Sequence, residues 1–517
     1  MGFTEGDERI FFTHPTSATL LPLLTELSHL LAQQHVTSYL VGGVVRDALI
    51  GRATADIDVA IRADALEMTK KIAATLGGSY VHLDRVYNKV GRVVLSPPES
   101  PWGQWQIDFS TLEGDIEQDL ARRDFTIDAM AVDLIRLGDE SAAIQLIDPF
   151  HGYDDLRQHL VRVVTPAAFT SDAARLLRAV RLAAELGFSI DRQTEALIQR
   201  DANLITGVAG ERVREELLRV LVVARGGEPF VYLDKLGLLT EIFPELAATR
   251  GVGQPKEHFW NVFEHSLRTV TAIDFLLRQG DWEFASEEAL AAAPWSPVLA
   301  KHFEQEVSDG STRRSLLKLA ALLHDVAKPQ SKTIDAEGRM RFLGHALEGA
   351  DIVTSRLEKL RFSNKEIRLV ENEVRYHMRP GQMYQDELPT RRAIYRYFRD
   401  NEDAGIDTLF LNLADHLATR GPHLDLAHWQ SHARMVAYVL AQHSQQEIRP
   451  PKLVDGYDII NIFRLEPGAN IGEILEAVRA AYASGEITTR EEALVFIDEL
   501  LSNQGKRRDQ VVPEQNL

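Results

Sequence analysis

Hydrophobic and polar positions change their period as the chain proceeds. From about residue 15 to 150 the pattern alternates between helix and strand. Residues 20–32 repeat apolar side chains at helical spacing. Ser38–Val41 is a short apolar run ending in Gly42-Gly43, and Asp56–Ile61 alternates acidic and apolar residues with the period of two that a strand requires. A helix is predicted over 63–76, closed by Gly77-Gly78, with further strands over 92–95, 105–109, 130–134 and 144–147. Beyond Pro149 the strand signal almost disappears. Helical spacing takes over from about 154 to 225, including a helix over 171–186 with its cap at Ser171 or Asp172 and its stop at Gly187. More helices follow to about 447, broken by loops at 251–255 and 293–297. Arg449-Pro450-Pro451 reads as a linker, 452–502 as a compact helical segment with a cap at Thr489 to Glu492, and 503–517 as a frayed end. The predicted class is α+β: a small α/β head (15–150), then a helical neck (151–225), a helical body (226–447) and a helical tail (452–502).

Composition narrows the chemistry. At 517 residues the chain needs several cores. Lys+Arg 57 against Asp+Glu 76 gives a net charge of −19, which argues against coating nucleic acid by bulk charge but leaves room for a local basic groove. With Cys 0, disulfides, thiol catalysis and Cys-ligated metal centres are excluded, so any metal must sit on His, Asp or Glu. There is no 18-residue apolar run and no basic-then-apolar start, so a cytoplasmic protein without a membrane partner is expected.

Two clusters carry chemistry. The first is Gly42-Gly43-Val44-Val45-Arg46-Asp47, followed by Asp56-Ile57-Asp58. A Gly-Gly turn after a strand lets backbone N–H groups approach phosphate oxygens, and Arg46 offers a cation. Asp56 and Asp58, two apart on a strand, share a face and could share Mg²⁺ for attack by a hydroxyl and departure of pyrophosphate. Asp108, on the 105–109 strand, is a third candidate.

The segment VGGVVRDALIGRATADIDVAI resembles the signature of the class II tRNA nucleotidyltransferase and bacterial poly(A) polymerase family, within the polymerase-β superfamily. Four further segments match in order: Asp119 to Thr126 (DLARRDFT), Asp148 to Gly152 (DPFHG), Leu176 to Arg181 with Leu186 to Phe188, and Gly210 to Glu216 (GERVREE). The resemblance implies metals on Asp56 and Asp58, with Asp108 a weaker third. It implies triphosphate contacts from Gly42, Gly43 and Arg46, sugar and phosphate contacts from Asp119, Arg122 and Arg123, and base reading by Asp172 and Arg175. On a continuous helix those last two would stand side by side. Arg178 and Arg181, with Arg212, Arg214 and Arg219, are candidates for a phosphate-contacting face; residues 151–225 hold 11 Arg, no Lys and 10 acidic residues, so the region is near neutral in an acidic chain.

The sequence departs from the family pattern in three places. Ser171 stands where Glu is usual, Asp128 where Asn is usual, and residues 109–119 join the third-carboxylate strand directly to the D-x-x-R-R-D segment. Family members that add a complete CCA usually carry a longer flexible loop there, associated with the switch from C to A, and CC-adding variants tend to lack it.

The second cluster is Leu322-Leu323-His324-Asp325-Val326-Ala327-Lys328, with His265 upstream and Asp415 downstream. Imidazoles and carboxylates together suit Mg²⁺, Mn²⁺, Ni²⁺ or Fe, and such an ion could support hydrolysis of a phosphoester. The pattern resembles an HD phosphohydrolase domain, in which His345 and His377 match additional histidines of a two-metal site. Arg391, Arg392, Arg396 and Arg399 form a second basic run, of the kind that more often is a solvated helix face. The expected activity is template-independent addition of C, A or both from CTP and ATP to the 3′ end of tRNA or another RNA. Poly(A) synthesis, and an HD phosphohydrolase with an RNA-binding head, stand as alternatives; the oligomeric state is not legible.

Overall fold

A computed structural model describes residues 20–84, 89–96, 104–137, 145–223, 227–383, 388–446 and 452–509. It divides into two compact units, residues 1–216 with 232–242, and residues 217–231 with 243–517.

The first unit is built on a seven-stranded mixed sheet. Its strands are β1 (Ser38–Val41), β2 (Asp56–Ile61), β3 (Ser79–Asp84), β4 (Lys89–Leu95), β5 (Trp105–Thr111), β6 (Ala131–Asp133) and β7 (Leu146–Ile147), in the order β3-β4-β5-β2-β1-β6-β7. Only β2 and β5 run parallel; every other neighbouring pair is antiparallel. Helix α1 (Leu21–Gln33) buries the leucine stripe that its spacing predicts, and α2 (Gly43–Leu49) follows the Gly-Gly turn. Helix α3 (Ala65–Leu76) starts where the Asp64 side chain accepts from the Glu67 N–H and ends at left-handed Gly77. It lies close on β4, where a Cβ at Gly91 would come within 2.3 Å of Thr69. The polar alternation Ser-Tyr-Val-His-Leu-Asp forms the edge strand β3, which the apolar pattern alone did not announce.

Helix α4 (Ile116–Ala121) lies between β5 and β6, and α5 (Arg175–Leu186) and α6 (Gly210–Val222) follow the sheet. The helix expected over 171–186 begins only at Arg175, because Asp172 adopts an extended conformation (φ −152°, ψ 103°) after a short turn at Ala168–Ser171. Asp172 and Arg175 therefore do not lie on one continuous helix, and the strand expected over 130–134 is cut to β6 by a helical turn at Leu134–Leu137.

The second unit is helical. Its principal helices are α7 (Val262–Leu276), α8 (Arg313–Leu323), α9 (His345–Lys359), α10 (Asn364–Tyr376), α11 (Arg391–Asn401), α12 (Gly405–Arg420) and α13 (Leu426–Gln446). The tail contributes α14 (Gly456–Phe463), α15 (Ala469–Ser484) and α16 (Arg490–Asp509), around a cluster that includes Ile459, Ile474, Val478, Ala493 and Ile497. The end expected to fray from 503 continues as helix to Asp509. The linker at 449–451 and the last residues, 510–517, lie outside the described residues.

Candidate active site and metal centre

Strand register assembles the acidic centre of the head. In the parallel β2–β5 pair Asp58 lies directly opposite Asp108, and Asp56 opposite Gln106. Asp56 and Asp58 share a face and differ in depth, Asp56 exposed and Asp58 half-buried. Asp108 is buried and already engaged: its two oxygens accept from Arg92 Nε at 2.7 Å and from the same guanidinium at 3.0 Å. Arg92 reaches it because β4 places it opposite Asp108.

The Gly-Gly turn closes over this centre. Gly42 has φ +79°, and a Cβ there would come 2.5 Å from Arg123 and 3.5 Å from the Asp58 carboxylate. Only glycine lets the turn, the acid and the arginine meet. Arg123 also lies 3.6 Å from Asp119, and Arg122 pairs with both Asp119 (3.2 Å) and Glu113 (3.3 Å). The network continues into the neck, where Arg175 donates to the Arg122 carbonyl at 2.8 Å. Asp172 is held by Arg212, whose two terminal nitrogens donate to its two oxygens at 2.9 and 2.8 Å. Partial burial works against the Asp172 carboxylate, but the Arg212 hydrogen bonds and charge outweigh it and hold the group below the usual carboxylate range.

The second unit converges on Asp325. One of its oxygens faces His324 (3.2 Å) and His265 (3.5 Å), and His265 lies 3.1 Å from Asp415. The other faces His345 (3.4 Å) and His377 (3.8 Å). His324, His345 and His377 all stand at helix ends, each with its Nδ1 against the carbonyl three residues earlier: Ala321 at 2.9 Å, Phe342 at 2.6 Å and Val374 at 2.6 Å. That bond fixes the tautomer and turns each Nε2 inward, the second layer that metal-binding histidines need. Two triads result, His265–His324–Asp325 and Asp325–His345–His377, with ligand atoms close enough to hold one ion each. The donor set would suit a divalent cation at each triad, with Asp325 common to both groups. Lys328 stands 2.6 Å from Asp325 and donates to Gln254 at 2.7 Å. Burial pushes His377 down to about 3 and lowers His265, whereas the charges on His324 and Lys328 hold Asp325 well below its usual range against the opposing effect of burial.

Three family descriptions match along the chain: "Poly A polymerase head domain" over 38–162, "Probable RNA and SrmB- binding site of polymerase A" over 187–249, and "HD domain" over 262–420. The CC-adding tRNA nucleotidyltransferase of Thermus thermophilus is 34% identical over 464 residues, covering 88% of this chain and 92% of that protein. The chain belongs to the tRNA nucleotidyltransferase family. The A-adding tRNA nucleotidyltransferase of Deinococcus radiodurans is 32% identical over 466 residues, covering 89% of this chain and 94% of that protein. A CCA-adding enzyme solved in complex with ATP shares the fold, with a TM-score of 0.61 at 22% identity over 94% of this chain and 96% of that one.

Within this tRNA nucleotidyltransferase, Asp58, Asp108, Gly42, Arg123, Asp119, Arg122 and Arg175 form one connected site, and the six HD residues form another. Some expected ligands are engaged elsewhere. Arg46 is buried between Asp47 (2.8 Å) and Asp128 (2.5 Å), so the Asp at 128 uses its charge to hold this arginine inside the head. Arg181 is buried between Glu185 and Glu216, which removes it from any phosphate-contacting face, and Arg178 pairs with Asp124 at 2.9 Å. In the 390s run, Arg399 pairs with Asp400 and Glu476, and Arg392 lies 3.6 Å from Glu486, which is how a solvated helix face behaves. Three residues had no assigned role in the sequence reading or a different one. Arg92 was hidden because cross-strand register, not spacing, brings it to Asp108. Arg212 was expected at phosphate and instead clamps Asp172. Lys328 was visible one helical turn after Asp325 and could have been found by its i,i+3 offset.

Proposed function

We propose that the transfer this chain catalyses at the tRNA 3′ end uses CTP and stops after two cytidines. The observation that carries this reading is the connection between β5 and α4. It is only four residues, 112–115, and it is tied down at both ends. The Leu112 N–H donates to the Ile61 carbonyl, Arg62 donates to the Gly114 carbonyl at 2.8 Å, and Asp115 with Gln118 forms a capping box. A segment fixed in this way has no length with which to reshape the base pocket from C to A. Among the relatives both CC-adding and A-adding enzymes occur, so the local geometry, and not the names, favours CC addition.

The tRNA 3′-hydroxyl attacks the α-phosphorus of CTP; a P–O bond forms as the bond to pyrophosphate breaks. Asp56 and Asp58 would hold Mg²⁺, which when bound offsets negative charge on the attacking and leaving oxygens. Arg122 and Arg123 meet the phosphates and the sugar at the mouth of the Gly42 turn. Asp172, ionised and acceptor-only, receives the amino group of cytosine and repels the carbonyl that uracil presents at the same edge. Arg175 supplies the matching donors. Asp108, neutralised by Arg92, sets the floor of the site.

A second reading concerns the other unit, where the two triads around Asp325 favour a phosphoesterase holding Mg²⁺, Mn²⁺, Ni²⁺ or Fe. Both activities would operate in the cytoplasm. The deciding experiment supplies Mg²⁺ and transcripts ending at the discriminator base, at C and at CC, with CTP and ATP separately and together. Addition of CC alone is expected. Orderly CCA addition, A addition to CC ends, or long A tails on other RNAs would each overturn the CC reading. No incorporation at all would leave the HD centre as the activity of the chain.

A further inference from the structure

The head holds a buried ladder of charges that the transfer step itself does not touch. Asp128 is buried and ends the short helical turn Thr126–Asp128. Its Oδ1 accepts from Arg46 at 2.5 Å. Its Oδ2 has no hydrogen bond among the described residues and lies 3.9 Å from Arg178. Each of these arginines also has a carboxylate of its own: Arg46 lies 2.8 Å from Asp47, and Arg178 lies 2.9 Å from Asp124. Arg46 and Arg178 are near enough to repel one another, and Asp128 offers one oxygen to each.

The two ends of the ladder belong to different parts of the site. Arg46 lies against the Gly-Gly turn, where a Cβ at Gly43 would come 3.3 Å from its guanidinium. Arg123, which crowds Gly42, donates to the Asp128 carbonyl at 3.4 Å. Arg178 sits on α5 one turn after Arg175, the residue that donates to the Arg122 carbonyl. Asp128 thus ties the turn at Gly42-Gly43 to the helix that carries Arg175. Its charge matters as well as its shape. An amide in its place has one accepting and one donating end, so it would present N–H groups either to Arg46 or to Arg178, and neither can accept. Arg46 would keep Asp47 and Arg178 would keep Asp124, so both pairs would survive and the link between them would not.

We propose that Asp128 is a positioning residue for nucleotide choice: it fixes the separation between the turn that receives the triphosphate and the neck residues that read the base. The inference rests on the reading of the head given under the proposed function, with Asp172 and Arg175 at the base. It adds a residue that touches neither nucleotide nor metal. With the link cut, the triphosphate end keeps its place and the base end drifts, so binding and discrimination suffer more than the chemical step.

The test uses the full chain with Mg²⁺, tRNA transcripts ending at the discriminator base and at CC, and CTP, UTP or ATP supplied singly. Asp128→Asn should raise the KM for CTP about fivefold and lower the preference for CTP over UTP by a similar factor, with kcat for CTP within about twofold, the size expected of one partly exposed charge pair. Arg178→Gln should lower that preference at least as much, and the double variant should be no worse than Arg178→Gln alone, because both changes cut the same link. An unchanged preference in Asp128→Asn, equal losses on all three nucleotides, or effects that add in the double variant would overturn the positioning role and leave the transferase reading intact. The parent chain tests that reading separately. If it adds A in place of C, the CC reading falls and Asp128 is judged by the preference for ATP over CTP instead. No incorporation by the parent would remove both.

Discussion

Glu373 offers a measurement of how the HD helices are held together. It lies on α10 one turn before His377, with 0% of its surface exposed, and both carboxylate oxygens lack a hydrogen-bond partner among the described residues. Facing it is Asp407 on α12, also 0% exposed. One Asp407 oxygen accepts from His302 at 3.0 Å and Arg313 at 2.7 Å, and the other has no partner among the described residues. Burial pushes the Glu373 carboxyl well above the ordinary 4.5 of a glutamate, the Asp407 charge pushes it further, and Arg313 only partly opposes them. In the folded protein Glu373 therefore keeps its proton at pH values where the unfolded chain has lost it. A group raised on folding contributes its full stability below the unfolded value and loses it as pH rises towards the folded one. The loss is about 1.4 kcal/mol for each pH unit above 4.5 while the folded carboxyl stays protonated. Glu373→Gln keeps the shape and cannot ionise, so it should abolish this slope. Urea unfolding of both proteins at half-unit steps from pH 5 to 8 can be followed by tryptophan fluorescence, since Trp260, Trp282, Trp295 and Trp429 all lie in the second unit. The variant should gain on the parent steadily as pH rises. A difference in stability that stays flat across that range would refute the protonated-carboxyl argument.

At the head, Asp58→Asn should lower CTP incorporation by about 10³-fold, equivalent to ~4 kcal/mol, while tRNA binding in a filter assay stays the same; incorporation within tenfold of the parent would contradict its assigned place. Arg212→Ala removes two charge-assisted hydrogen bonds from Asp172. Because the two side chains are 54% and 31% exposed, the cost is discounted to about 0.5–1.5 kcal/mol, a two- to tenfold loss of kcat/KM for CTP with more UTP accepted in single-nucleotide assays. An unchanged CTP-to-UTP ratio would show that Asp172 is not the base reader. In the HD centre, chelator-stripped protein reloaded with Mn²⁺ should hold two ions by elemental analysis; His345→Ala should lose one, and Asp325→Asn should weaken both. A single ion in the parent chain would rule out the bridged pair.

What the sequence disclosed, and what it withheld, follows from the range of the interactions involved. Asp56 and Asp58 were legible because strand periodicity is local: two residues apart means one face, whatever the rest of the chain does. His324-Asp325 was legible for the same reason, since the apolar stretch Leu316 to Leu323 fixes the helix whose end presents them. Asp172 shows the limit. Its spacing to Arg175 suggested one helical face, yet the chain breaks at Asp172 and hands its carboxylate to Arg212, forty residues away. No periodicity encodes that choice; it is decided by which guanidinium the packed neck brings within reach. Arg46 is a different case. Its position after Gly42-Gly43 suggested a phosphate ligand, but Asp128 supplies a buried counter-charge at 2.5 Å, and a guanidinium paired inside a protein is not given up cheaply to a ligand. Arg92 combines both cases, because its partner is set by the β4–β5 register. The carboxylates and histidines proposed to hold metal are thus the readable part of this chain, being placed by local geometry. The arginines that pair with carboxylates, Arg92 with Asp108, Arg212 with Asp172 and Arg46 with Asp128, are placed by tertiary contact, which no local pattern in the sequence encodes.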